Sequence, residues 1–190
     1  MHNIEPFYSW LDFYDSSRDH LSPFYQKEYS QFQFSEKIYN HFIHPQWDNI
    51  GSSTLFIKTL FADYDNGFTI IEMMGEWNDC LHNDIMIFKR NIIEHFMLQG
   101  ISKFILVGEN VLTYHASDDC YYEEWFDEVE DEDGWVAMVN FREHVLEDFQ
   151  NADIDHFFAL GGNLNELNWR TYQPKDLFHL VDDSVMKRIG

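Results

Sequence analysis

The chain has 190 residues, 45% of them hydrophobic and 18% aromatic, and 34 acidic against 12 basic side chains give a formal net charge of −22. That apolar content offsets the entropy of folding and excludes a disordered chain, while the length suits one sizeable core and is short for two. A surface this negative repels phosphate backbones and anionic headgroups, so direct nucleic-acid and membrane binding are disfavoured; the only clustered basic residues are the pairs Lys89-Arg90 and Lys187-Arg188.

Residues 1–50 are dense in rings, from Phe7, Tyr8, Trp10, Phe13 and Tyr14 to Phe42 and Trp47. So many aromatics need a surface to cover. An N-terminal extension packed on a single main domain of residues 51–190 is expected, with an aromatic homodimer surface as the alternative. Pro6 suits the first turn of a short helix, and residues 29–34 alternate weakly like a strand. Ser35 can cap a helix over residues 36–44 ended by Pro45, although the spacing fits a strand equally. The opening MHNIEPFYSW shows no basic and apolar leader, and no apolar run reaches membrane-spanning length. Cys80 and Cys120 are too few for a disulfide framework and read as small buried hydrophobes, so a reducing cytoplasm is the expected compartment.

Residues 54–64 and 68–74 flank Asp65-Asn66-Gly67, a β-hairpin signature. Asn78 or Asp79 then caps a long helix ended by Gly100, with Leu81, Ile85, Phe88, Ile92 and Phe96 on one stripe. Residues 103–107 read as a short buried strand closed by Gly108. An acidic helix begins near Cys120, capped by residues 117–119. Residues 135–139 form a further buried strand, residues 141–149 a helix, and residues 154–160 a strand closed by Gly161-Gly162. The last helix runs from about Pro174 to Ile189, with Leu177, Val181, Val185 and Ile189 inward. This order predicts an α/β fold: a mixed, mostly parallel sheet opened by a hairpin, with helices packed on it.

The element order over residues 54–189 resembles the STAS domain, the anti-sigma-factor antagonist fold. Members carry an Asp-x-Ser-Gly-like sequence where a strand leads into a helix, and its Ser or Thr is phosphorylated. The corresponding stretch is His115-Ala116-Ser117-Asp118-Asp119, which places Ser117 before a helix but lacks the glycine. Its acidic neighbours would also repel an added phosphate. The stretches FIHPQW (42–47) and GEWND (75–79) are similar to those of a family of acidic bacterial proteins of unknown function.

Signatures of familiar chemistry are missing: there is no GxGxxG, no P-loop, no HExxH and no GxSxG. Aligning Gly134 to the sixth position of an EF-hand loop puts Val129 at the first, so that loop fails. His41 and His44 lack an assignable third ligand, and neither a metal nor a cofactor is expected. In open α/β sheets ligands bind beyond the carboxyl ends of the strands. Parallel strands here would present Glu76, Asn78 and Asp79; Glu109 and Asn110; Asn140 and Arg142; and Gly161, Gly162 and Asn163 on one edge, joined by His115 and Ser117.

Three functions fit. The first is a non-enzymatic regulator or adaptor binding a basic protein through the outer face of the acidic helix, Glu124, Asp127, Glu128 and Asp131. The second is a small-molecule or divalent-metal-dependent enzyme using a carboxylate pair on that strand edge, Glu76 or Asp79 with Glu109. The third is an acidic mimic of nucleic acid.

Overall fold

The computed structural model describes residues 4–189; Met1 to Asn3, part of the leader reading, and the side chain of Ile189, last on the predicted stripe, lie outside it. Two short strands, β1 (Lys37–Ile38) and β2 (His41–Phe42), pair antiparallel, so the 36–44 segment takes its strand alternative. Residues 9–13 form turns instead of a helix, and residues 29–34 join no strand.

The main sheet runs in the order β3 (Asp48–Asn49), β4 (Leu55–Asp63), β5 (Phe68–Asn78), β6 (Lys103–His115), β7 (Trp135–Val139). β3–β4 and β4–β5 are antiparallel, while β5–β6 and β6–β7 are parallel. Four strands therefore point one way and β4 opposes them, the predicted mixed, mostly parallel sheet.

Both faces are covered. Ile57, Ile71, Met73, Phe104, Leu106, Val136 and Met138 pack against the helices that follow β5, β6 and β7. Phe68, Ile70, Ile105, Val107, Ala137 and Val139 pack on the opposite face against the last helix and Trp10. The period-two alternation of each strand delivers its residues to two cores. A third cluster gathers Ile38, Ile43 and Trp47 over Phe56 and Met74.

The helix after β5 is not continuous. α1 (Asp79–His82) stops at Asn83, whose φ of 53° is left-handed, and α2 (Asp84–Phe88) restarts in a new phase. Leu81 consequently leaves the predicted stripe and stands 74% exposed, while Ile85, Phe88, Ile92 and Phe96 stay buried. A π-turn at Lys89–Ile93 then leads into α3 (Glu94–Met97). It lets both Ile92 and Ile93 face the core and turns Lys89 fully inward.

Gly108 does not end β6. It lies under the Phe141 ring, where a Cβ would come within 2.4 Å, and the strand bulges there and continues for seven residues to His115. α4 (Cys120–Glu130) begins where expected, but no side chain caps it. Gly134 ends that connection because a Cβ would sit 2.1 Å from the Ser102 carbonyl oxygen. α5 (Glu143–Asn151) follows β7.

The predicted strand over residues 154–160 reduces to a 3-10 turn at Asp155–Phe157 and one parallel bridge, Ala137 to Ala159. Its rings explain the loss: Phe157 and Phe158 pack against α4 side chains, which curls the segment off the sheet edge. α6 (Pro174–Ile189) closes the second face. No helix among the described residues is long and apolar enough to cross a membrane.

Candidate functional site

The parallel strands do end on one edge, but not at one level. Val139, the last residue of β7, pairs with Val107, and Val107 pairs with Glu72, whereas β5 and β6 run on to Asn78 and His115. Glu76 pairs with Thr113, four residues or about 13 Å beyond Glu109 along β6. Asp79 lies past the Asn78–His115 pair, about 20 Å beyond Glu109. The twelve predicted edge residues accordingly fall into separate groups.

At the far end, Asp79 is buried and accepts hydrogen bonds from Tyr122 Oη (2.5 Å), Ile85 N (2.8 Å) and Trp77 Nε1 (3.1 Å). Burial pushes its carboxyl up to about 6 despite these donors. Asp84 accepts from the Asn78 amide at 2.8 Å, and Asn78 Oδ1 caps α1 at the Leu81 amide. These groups hold the broken helix to the sheet. Glu76 points elsewhere and accepts from the Tyr39 hydroxyl. His115, the last residue of β6, and Ser117, in the loop before α4, are exposed.

At the level of the β7 end, a row of polar and ionisable side chains crosses β4, β5 and β6 on the α6 side, between two apolar clusters, and at the β3 edge it meets Asp48. Asp48 on β3 is fully buried; its Oδ1 accepts from Tyr29 Oη (2.6 Å) and Lys27 Nζ (2.7 Å), and its Oδ2 lies 3.3 Å from Lys58 Nζ. Burial lowers the Lys58 ammonium pKa, and Asp48 opposes the shift. Lys58 stands directly across β4–β5 from Glu72. Glu72 accepts from the Phe7 amide at 2.8 Å and from Asn110 at 3.4 Å, with Arg170 3.7 Å away. Burial pushes Glu72 up to about 7.

Next along the row, Glu109 takes hydrogen bonds from Arg170 (2.5 Å), Trp169 Nε1 (2.8 Å) and Asn140 Nδ2 (2.9 Å). Those donors outweigh its burial and hold it below the usual carboxylate range. Arg142 Nε donates to the Glu109 carbonyl, and Asn140 also clamps Leu167 through both ends of its amide. The β6 bulge turns both Glu109 and Asn110 to this face.

The structure thus gathers Glu109, Asn110, Asn140 and Arg142 from the predicted edge and adds Lys58, Glu72, Trp169 and Arg170, which reading the strand ends missed. A signal existed: Lys58 and Glu72 interrupt the apolar runs of two facing strands. Gly161, Gly162 and Asn163 form a turn outside the row, where Arg188 donates to the Leu160 and Gly161 carbonyls.

On the acidic helix, two of the four expected outer carboxylates have partners within the chain. Lys89, whose side chain is wholly buried, lies 2.8 Å from Glu128 and 3.2 Å from both Glu94 and Glu124. Arg90 bonds Glu124 and Glu94 as well. Asp127 and Asp131 remain exposed, together with Glu130, Glu132 and Asp133. The last residues of this run crowd the negative end of the helix dipole. Replacing Glu130, Asp131, Glu132 and Asp133 by Gln or Asn is expected to raise stability by about 0.5–1 kcal/mol in total, measured by chemical denaturation; a loss would reveal a cation or partner held there.

Beside this tip lies a groove of about 490 Å³ between α4, the Asp155–Phe157 turn and the end of α6. Phe126, Val129, Trp135, Phe157, Val185 and Met186 line it, and Glu130 and Asp133 stand at its rim. Nearby, Asp153, Asp155 and His156 bring three ligand atoms within 4.8 Å of one another, the one such trio among the described residues. Cys80 and Cys120 are exposed instead of buried, because both sit on outward-facing first turns. A hydrogen bond to Asp118 raises the Cys120 thiol pKa.

No protein-family model matches the chain, and no curated protein is similar to it. Among solved structures, it is similar to a Thermotoga maritima protein provisionally described as an anti-sigma factor antagonist, the family its element order resembles. The identity is 16% and the TM-score 0.40, over 54% of this chain and 80% of that one. A likeness at that level leaves function to be read from this chain's own residues.

Proposed function

We propose that the protein is a non-enzymatic adaptor or regulator that binds a basic, amphipathic segment of a protein partner in the groove between α4 and α6. The carrying observation is the pairing of an apolar floor with a carboxylate rim. Phe126, Phe157 and Met186 offer apolar contact, and Glu130 and Asp133 flank it with charge that forms no ion pair among the described residues, while Arg188, which also lines the groove, donates to the Leu160 and Gly161 carbonyls. Helix-in-groove recognition uses this arrangement: apolar anchors supply affinity, and peripheral charge steers encounter. The enzyme reading draws less support, because Glu76, Asp79 and Glu109 are held apart and each accepts hydrogen bonds from neighbouring side chains.

A lysine- and leucine-rich amphipathic peptide serves as probe, with its glutamate-for-lysine counterpart as control. The cationic peptide should bind saturably and more weakly as salt rises, and the acidic control should not bind. Met186→Asp is expected to weaken binding by about tenfold, because it puts a charge on the groove floor. The direction separates two causes. Met186→Asp adds negative charge, so purely electrostatic attraction would strengthen, and that result would overturn groove recognition.

A further inference from the structure

A second cavity, of about 430 Å³, opens on the opposite side of the molecule over β4. Its size lies in the range of small-molecule sites. The N-terminal segment forms one wall with Phe7, Tyr8 and Leu11, and Phe32 forms another. Lys58 reaches it from the middle of a β-strand, with only 9% of its side chain exposed.

The charge of this wall is unusual for the chain. Two ammonium groups, Lys27 and Lys58, converge on the single carboxylate of Asp48, and Asp15 and Glu72 lie nearby but form no ion pair with either among the described residues. An ammonium has three N–H donors. The Lys58 group lies 3.3 Å from Asp48 Oδ2 and 3.6 Å over the Tyr29 ring, and the same side chain lines the cavity. His44 accepts from the Gln46 amide through Nδ1, so its Nε2 carries a proton in the neutral ring. Besides the Glu5 carboxylate, 4.0 Å from His44, the polar lining holds Gln31 and Gln46, whose amides both donate and accept.

Among the described residues, much of the apolar lining is left uncovered. Phe32 is 88% exposed and Tyr8 62%, and both stand at the cavity. Exposed rings beside a buried cation suit a ligand with a flat apolar body and an anionic head.

We infer that this cavity is a binding site for a small aryl carboxylate, whose carboxylate pairs with Lys58 and whose ring packs between Phe32, Tyr8 and Phe7. The site is separate from the α4–α6 groove and does not depend on what that groove binds.

Calorimetry on the full chain with benzoate, benzyl alcohol and benzylamine tests it. Benzoate is expected to bind saturably, benzyl alcohol about tenfold more weakly, and benzylamine not at all. Lys58→Met should cost benzoate about tenfold or more, with Lys27 and Tyr29 still holding Asp48. Phe32→Ser changes an exposed side chain, so folding should be unaffected while benzoate binding falls severalfold. That variant and the ligand series decide the matter if Lys58→Met fails to fold. No benzoate binding, equal binding of benzylamine, or benzoate binding indifferent to Phe32→Ser would each overturn the assignment.

Discussion

Asp48→Ala is expected to cost about 3–5 kcal/mol of stability at neutral pH, a large share of the total for a domain of this size. Asp48 is fully buried and joins three groups from two parts of the chain: Lys27 and Tyr29 from the N-terminal segment and Lys58 from β4. Lys27 is about one-third exposed and can turn to water, whereas Lys58, 9% exposed, meets water only at the cavity wall. Removing the carboxylate leaves a buried ammonium without its counter-charge, and that penalty dominates the loss. Urea denaturation of Asp48→Ala, Lys58→Met and the double variant measures the coupling. The double variant should recover much of the loss, because it removes both charges. Near-wild-type stability of Asp48→Ala would mean that water reaches Lys58 freely.

Glu72→Gln should stabilise the protein above neutral pH and leave it little changed below pH 4. Burial raises the Glu72 carboxyl from its usual 4.5 to about 7. A group that holds its proton more tightly when folded contributes no penalty below its unfolded pKa. The penalty grows as pH rises and is complete above the folded pKa. At about 1.4 kcal/mol per pH unit, the gap from 4.5 to 7 costs the folded state about 3 kcal/mol at pH 8. Asp79, raised to about 6, acts in the same direction. The wild-type chain should therefore be more stable at pH 5 than at pH 8, and Glu72→Gln should flatten most of that slope. Gln keeps a carbonyl acceptor for the Phe7 amide, although its NH2 meets the donors of Asn110 and Arg170. Denaturation at both pH values checks this; a loss at pH 8 would show that Arg170 needs the ionised partner.

The architecture was legible because alternation and turn chemistry are local. The hairpin around Asn66-Gly67, the start of α4 near Cys120 and the parallel β5–β6–β7 arrangement all follow from patterns of about ten residues. The site was not, and Lys58 shows why. Counting back from the turn, the pairing of Asp63 with Phe68 would place Lys58 opposite Met73. One extra residue at the Thr59/Phe61 irregularity shifts the register and brings Lys58 opposite Glu72. The same irregularity sends the successive residues Leu60 and Phe61 into one core. A bulge depends on what packs over the strand, so charge positions downstream of it cannot be counted from the turn. Gly108 misled in the same way: read as a strand end, it is the place where β6 bulges beneath Phe141 and continues. Asn83 is a milder case, where one left-handed residue resets a helix that apolar spacing alone would carry through.

The clamp of Arg188 on the Leu160 and Gly161 carbonyls holds the chain next to β7, where Ala159 hydrogen-bonds Val136 and Met138 and the Leu164 carbonyl receives the Asn140 amide. β7 borders the sheet on that side, and β3, the other border, is only two residues long. An uncovered border strand is a template on which a second chain can add itself, and proteins guard against this with short or covered strands. This fold uses both devices, one at each side. A chain this rich in apolar strands is thereby kept from polymerising through its sheet, and at the β7 side that protection depends on a loop pinned by one guanidinium from the end of the last helix.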